Sequence, residues 1–298
     1  MSIIDYSKCF QKSTRCSKHA AFFPENIFCV IAGATGCGKT NLMLNLLLNE
    51  GFIDYKNVYV YSSTLHQPSY QLLKAHYSDL ENWVNKTYGK VVKIAYFFDG
   101  DDEITNPSEL NQKDSHIMIF DDVMNADQTT IKDYFCRGRH NNVNVFYLCQ
   151  SLHKIAKHCI RENANVFILF HQDDKTLKYF HETHISGDMD FKEFKKFCDE
   201  VWIKKHGFVV INLWEEPYCG RYIANYDTIY IPNKYIKLHK NTYKYIQIHT
   251  NKIINNIKCT LNLTKITKSK KIGLKKDLKM KRLEIRLYIL IKKGYSNH

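Results

Sequence analysis

Gly33-Ala34-Thr35-Gly36-Cys37-Gly38-Lys39-Thr40 follows the spacing G-x-x-x-x-G-K-[ST], and each residue type in it has a chemical reason. Glycines let backbone N–H groups curl around phosphate oxygens, and the positive end of a following helix deepens that anion site. Lys39 would reach the β- and γ-phosphates of a nucleotide, and the Thr40 hydroxyl would be a ligand for Mg2+. All eight residues therefore form the candidate phosphate-binding set. Cys37 puts a thiol among these amides, which would make the loop sensitive to alkylation.

Two further stretches carry the other half of such chemistry. Ser115–Met124 reads SHIMIFDDVM, an apolar run ending in two acids. Asp121 would hold Mg2+ through water, and Asp122 sits where a base would activate the attacking water. A pair of acids after a strand is also a common turn or cap, so the motif acquires meaning only beside the glycine loop. Gln150 follows the apolar run Val143–Cys149, where its amide could orient water and sense hydrolysis. Arg137 and Arg139 precede that run and so lie at its opposite end. They could reach a neighbouring subunit's nucleotide as arginine fingers do, with Arg139 preferred; the plainer reading is solubility.

These residues need a scaffold that brings them to one edge. Ile27–Ala32 reads as a buried strand entering the glycine loop, with a helix begun at Thr40 and Gly51 placed to end it. Strands are expected at Asn57–Ser62, Val91–Phe98, Ile117–Phe120, Val143–Cys149 and Asn165–Phe170. Helices are expected after Pro68, over Thr129–Cys136 and over Phe191–Val201. Val201–Lys205 and Phe208–Leu213 look like a hairpin turning at His206-Gly207. Short apolar strands alternating with helices predict an α/β fold, a mainly parallel central sheet flanked by helices. In organisation, residues 1–24 read as a polar arm, 25–235 as the nucleotide-binding domain, and 236–298 as a basic, Lys-rich C-terminal extension.

Length and composition set the outer bounds. A chain of 298 residues can bury a sizeable core in one large domain. No apolar run approaches the 18 residues or so that a membrane span needs, and the polar, charged N-terminus is unlike a signal peptide. A protein without integral membrane segments, in an intracellular reducing compartment, is the expectation. The ten cysteines fit it, since they form no C-x-x-C pair. Cys136 with His140, Cys149 with His153, and His181 with His184 are the nearest approaches to a zinc site, and none has a second pair at finger spacing.

The net charge of +13 is concentrated at one end: residues 251–298 hold 14 Lys plus Arg against 2 acids, leaving +1 for residues 1–250. Within that tail, Lys275, Lys279, Arg282, Arg286 and Lys293 fall on one helical stripe beside Met280, Leu283, Leu287, Leu290 and Ile291. Such a helix suits contact with phosphate backbones; a membrane surface and a solvated extension are the alternatives.

The glycine loop, Ile117–Asp122 and above all GRHNNVNVFYLCQSL (Gly138–Leu152) resemble the poxvirus-type DNA-packaging ATPases of the FtsK–HerA P-loop superfamily, found in large DNA viruses and virophages. The resemblance covers roughly residues 25–235. It implies a P-loop fold of the additional-strand, catalytic-acid type, ATP and Mg2+ as cofactors, and a homo-oligomeric ring. It further implies that ATP hydrolysis drives double-stranded DNA into a capsid at a portal or vertex, in the cytoplasmic virus factory or the virion. Residue by residue it gives phosphate binding at Gly38, Lys39 and Thr40, metal and water activation at Asp121 and Asp122, sensing at Gln150 and a finger at Arg139. Asp122 departs from the glutamate frequent in the wider superfamily, and the basic tail has no matched counterpart. A cellular or mobile-element DNA pump or helicase, and a non-catalytic DNA-binding protein with a degenerate site, are the alternatives. A GTPase would show N-K-x-D, which is missing here, and no Arg-rich lid marks a small-molecule kinase. Deleting residues 251–298 is expected to weaken DNA binding and flatten its salt dependence, measured by fluorescence anisotropy across a salt series.

Overall fold

The computed structural model describes residues 19–238, apart from positions 21, 50, 90, 101, 124–127 and 156. The basic helix expected over 275–293, and nearly all of the extension and the arm, lie outside the described residues. Among the described residues, nine strands build one sheet: β1 (Phe28–Ala32), β2 (Asn57–Ser62), β3 (Ala95–Phe98), β4 (His116–Asp121), β5 (Val143–Cys149), β6 (Val166–Leu169), β7 (Val209–Asn212), β8 (Tyr222–Ala224) and β9 (Thr228–Tyr230). Their spatial order is β3-β2-β4-β5-β1-β6-β7-β8-β9. The first six are mutually parallel, and β7, β8 and β9 are added antiparallel.

Successive side chains of a strand point to opposite faces, and β1 uses both. Phe28, Val30 and Ala32 enter one apolar cluster, and Cys29 and Ile31 enter the other. Helices α1 (Lys39–Leu48) and α2 (Pro68–Tyr88) cover the second face. Helices α3 (Gln128–Arg137), α4 (Asp174–Phe180) and α5 (Phe191–Trp202) cover the first, and a short α6 (Asn233–Leu238) closes the described chain. A helix–sheet–helix sandwich of this kind explains why the parallel strands read as continuous apolar runs.

The parallel order has a direct consequence for chemistry. β5 is inserted between β1 and β4, so the C-terminal ends of all three meet at one edge. The glycine loop, Asp121 and Gln150 leave the sheet there. Two buried asparagines fix how β1 enters from the opposite edge. Asn144 Oδ1 accepts the Ile27 N–H at 2.9 Å, and Asn165 Oδ1 accepts the Phe28 N–H at 2.8 Å. Asn165 also donates to the Asn26 carbonyl at 2.7 Å. The end of the arm packs as well: Phe22 and Phe23 are buried, with the Phe22 ring 4.3 Å from that of Tyr226.

Two expectations need correction. The hairpin at His206-Gly207 does not form, because Val201 continues the apolar face of α5 with Phe194, Phe197 and Cys198. The chain instead turns at the helix end, and β7 pairs with β6 and β8. Gly207 is required there, since a Cβ on it would lie 2.2 Å from the Val201 carbonyl oxygen. The third strand starts at Ala95 rather than Val91, because Glu81 of α2 accepts the Ile94 N–H at 2.7 Å and the Ala95 N–H at 3.2 Å. The helix after Pro68 extends to Tyr88, ended by Gly89 in the left-handed conformation. Elements β8, β9, α4 and α6 had no clear sequence signal.

Asn165→Ala is expected to cost about 2 kcal/mol, since it strands a buried N–H at the head of the central strand. Urea unfolding of the variant measures that loss.

Candidate functional site

The loop between β1 and α1 is shaped by two different demands on glycine. A Cβ at Gly33 would lie 2.7 Å from both the Cys37 Sγ and the Phe170 Cβ, so the requirement there is space. Gly38 has φ +114, a conformation side chains resist, so the requirement there is backbone freedom. Gly38 is also the N-cap of α1. Among the described residues no side chain caps α1, and its first turn carries no acid. The contrast with α4 and α5 is chemical, for there the carboxylates of Asp173 and Asp190 accept the N–H groups of Thr176 and Glu193 in the first turn. The uncapped N–H groups of α1 are ready donors for an anion. Lys39 coils back over its own loop, donating from Nζ to the carbonyls of Gly33 (2.7 Å) and Ala34 (3.1 Å).

The two halves of the motif meet through one oxygen. Thr40 Oγ1 donates to Asp121 Oδ2 at 3.1 Å, across 81 positions of sequence. The Tyr70 hydroxyl, from the first turn of α2, donates to the same Oδ2 at 2.5 Å. Asp121 is buried as the last residue of β4. Burial pushes its carboxyl pKa up, while the hydrogen bonds from Tyr70 and Thr40 and the charge of Lys39 pull it down. Tyr70 is itself raised by burial and by the facing carboxylate, which keeps its proton on the phenol.

Asp122 stands just past the strand, exposed, with φ +57 and its carbonyl held by Ser63 Oγ at 3.1 Å. The left-handed backbone, which Asp tolerates better than most residues, turns it out of the sheet. Gln150 is exposed immediately after β5. It lies beside the loop, because the Gly33 N–H donates to the Cys149 carbonyl at 3.2 Å. Arg139 lies elsewhere. Its guanidinium is 5.9 Å above the ring of Phe28, the first residue of β1, and Arg137 ends α3 nearby. Both arginines are exposed at the opposite edge of the sheet, about 20 Å away along a seven-residue strand.

Two contacts at this site escaped the sequence reading. Tyr70 looked like one more apolar position on a helix face, and nothing in its spacing separates a core tyrosine from one aimed at a carboxylate. His206 donates from Nδ1 to the Cys37 carbonyl at 2.8 Å across 169 positions. Burial raises the Cys37 thiol pKa, and Lys39 offsets only part of that shift.

The family model of the poxvirus A32 protein matches residues 18–183, more than half of the chain. The chain belongs to that family. Membership makes it a P-loop ATPase of the packaging class, as its motifs imply. A search of curated proteins finds no match. Among solved structures, the chain is similar to B204, the DNA-packaging ATPase of Sulfolobus turreted icosahedral virus, at 15% identity and TM-score 0.45, covering 70% of this chain and 98% of that one. It is similar to B204 of Sulfolobus turreted icosahedral virus 2 with AMPPCP, at 14% identity and TM-score 0.43, covering 67% and 96%. The N-terminal domain of the zonular occludens toxin from Neisseria meningitidis is more distant, at 13% identity and TM-score 0.33, covering 72% and 97%.

The residues present fit magnesium and a nucleoside triphosphate. A hydroxyl and a carboxylate in contact are the hard oxygen ligands magnesium prefers, and the uncapped helix start supplies N–H donors for phosphate.

Tyr70→Phe tests the grip on Asp121. Burial raises the carboxyl's folded pKa above its unfolded value, so the ionised form costs stability as pH rises through that folded value. Tyr70 offsets part of this cost. Its loss should destabilise the protein by about 2 kcal/mol near pH 8 and by less toward acid pH, read from urea unfolding at several pH values.

Proposed function

We propose that this protein is an ATP-driven motor that moves double-stranded DNA into a viral capsid, working as a ring of identical subunits. The observation that carries the reading is the Thr40–Asp121 contact, which joins glycine loop and acidic strand into one site in a chain of the poxvirus A32 family. No described helix is long and apolar enough to cross a membrane, which suits a motor acting on capsids in the infected cell.

The chain's own groups divide the work. N–H groups of the glycine loop beyond Gly33 and of the start of α1 cradle the phosphates, and Lys39 exchanges its carbonyl partners for phosphate oxygens. Thr40 and Asp121 would hold Mg2+, which when bound supplies neutralisation of charge between the β- and γ-phosphates. Asp122, exposed just beyond Asp121, takes the proton of the attacking water. Gln150, just past the end of the strand between, orients that water and reports its loss to β5.

Arg139 completes the site from outside. Its place at the far edge of the sheet keeps it from its own subunit's phosphates, so a finger role for it is one played toward a neighbouring copy in the ring. Geometry thereby supports a shared site, one wall from each of two subunits.

The test is hydrolysis with and without long double-stranded DNA. DNA should stimulate turnover, and Lys39→Ala should reduce it by about a hundredfold or more. Asp122→Asn should still bind ATP while failing to hydrolyse it. Mixing Arg139→Ala with Lys39→Ala subunits should restore part of the activity. Intact oligomers that do not complement would remove the trans role, and turnover indifferent to DNA would remove the motor.

A further inference from the structure

The turn after α5, Ile203-Lys204-Lys205-His206, is exposed along its whole length yet is anchored at the phosphate loop. Its anchor is the 2.8 Å contact between His206 Nδ1 and the Cys37 carbonyl. A carbonyl only accepts, so Nδ1 carries the hydrogen and Nε2 faces away from that bond. The imidazole also covers Gly38, where a Cβ would lie 3.5 Å from Nδ1. His206 holds φ +62, a conformation a non-glycine residue adopts at a cost, and the Gly207 N–H closes the turn on the Lys204 carbonyl at 2.9 Å. The side chain is therefore not a core filler. It is exposed, backbone-strained and hydrogen-bonded to the loop.

The sheet order says which side of the loop this is. Asp121 and Gln150, at the ends of β4 and β5, lie on one side of β1. β6 and β7 lie on the other, and β7 runs antiparallel, so the turn entering it stands at the nucleotide edge. A triphosphate whose γ end lies toward Asp121 directs its nucleoside toward this turn. There the turn offers two lysines and Ile203, a large apolar side chain that is 84% exposed.

We propose that the Ile203–His206 turn is the nucleoside-side wall of the ATP site, with His206 as the positioning residue that registers it against the phosphate loop. The inference rests on the glycine loop being the nucleotide site. His206 sets the loop's shape through Cys37, the two exposed lysines bring positive charge to that side of the loop, and Ile203 offers apolar surface to the base.

The experiment uses the full chain and measures competition by ATP and by inorganic tripolyphosphate against a fluorescent ATP analogue, with steady-state hydrolysis alongside. Binding by the wild type that Lys39→Ala abolishes establishes the site itself; binding that survives this change removes the parent reading and the proposal with it. With the site established, Ile203→Ser should weaken ATP about fivefold and leave tripolyphosphate unchanged, because only ATP has a base to lose contact with. His206→Phe should raise KM for ATP about tenfold with kcat within about twofold, and weaken tripolyphosphate too. His206→Asn, which keeps a donor and tolerates positive φ, should return KM to within about threefold of wild type. Unchanged ATP binding in both Ile203→Ser and His206→Phe overturns the proposal. Equal losses in His206→Phe and His206→Asn overturn the positioning role, and equal losses of ATP and tripolyphosphate in Ile203→Ser overturn the nucleoside wall.

Discussion

A buried carboxylate at the end of a buried strand is expensive, and the contacts of the site are arranged to offset part of that cost at Asp121. Burial alone would favour its protonated form. Two hydroxyls and a nearby ammonium oppose that, and the donors come from separate elements: Thr40 from the first turn of α1 and Tyr70 from the first turn of α2. One oxygen thereby ties together a loop, two helices and a strand. Both hydroxyls converge on Oδ2, which orients the carboxyl group as a whole and leaves the geometry of the pair set by the fold.

The same arrangement links packing to the proposed motor cycle. Strand β5 touches the glycine loop at one end, through the Cys149 carbonyl, and at the other carries the segment that holds Arg139. It is buried along its entire length and pairs with both β1 and β4. On the proposed reading, this buried strand, with the candidate sensor Gln150 past one end and the candidate finger before the other, would be a short mechanical path between two nucleotide sites. Asn144, on that strand, also grips the entry of β1, so the path and the loop share a support.

The antiparallel extension adds a second support for the loop. Through β7 and the turn before it, the chain returns to the phosphate loop from the side away from the acids. Its strands are short, with too few residues to show a period. That is why β8 and β9, three residues each, were illegible, and why residues 201–213 were misread as a hairpin. Val201 has the same apolar character whether it extends a helix or opens a strand; the helix wins because Asp190 caps it and Phe194, Phe197 and Cys198 bury the same face. The stretch from Val91 to Ile94 stayed out of the strand, and at its end Glu81 of α2 takes the Ile94 N–H.

Local chemistry sufficed for the glycine loop, the acidic pair and the parallel strands that carry them, because those features depend on neighbours a few residues away: strand apolarity, glycine at strained positions, a helix start left uncapped. The extents of β2 and β5 could be read directly. What no spacing could reveal was convergence. Tyr70 and Asp121 lie 51 positions apart, and His206 and Cys37 lie 169 apart. Each pair meets only because the sheet fixes which strand ends share an edge. A hydroxyl or an imidazole has no function until the fold decides what stands 3 Å from it, and that decision belongs to the tertiary structure.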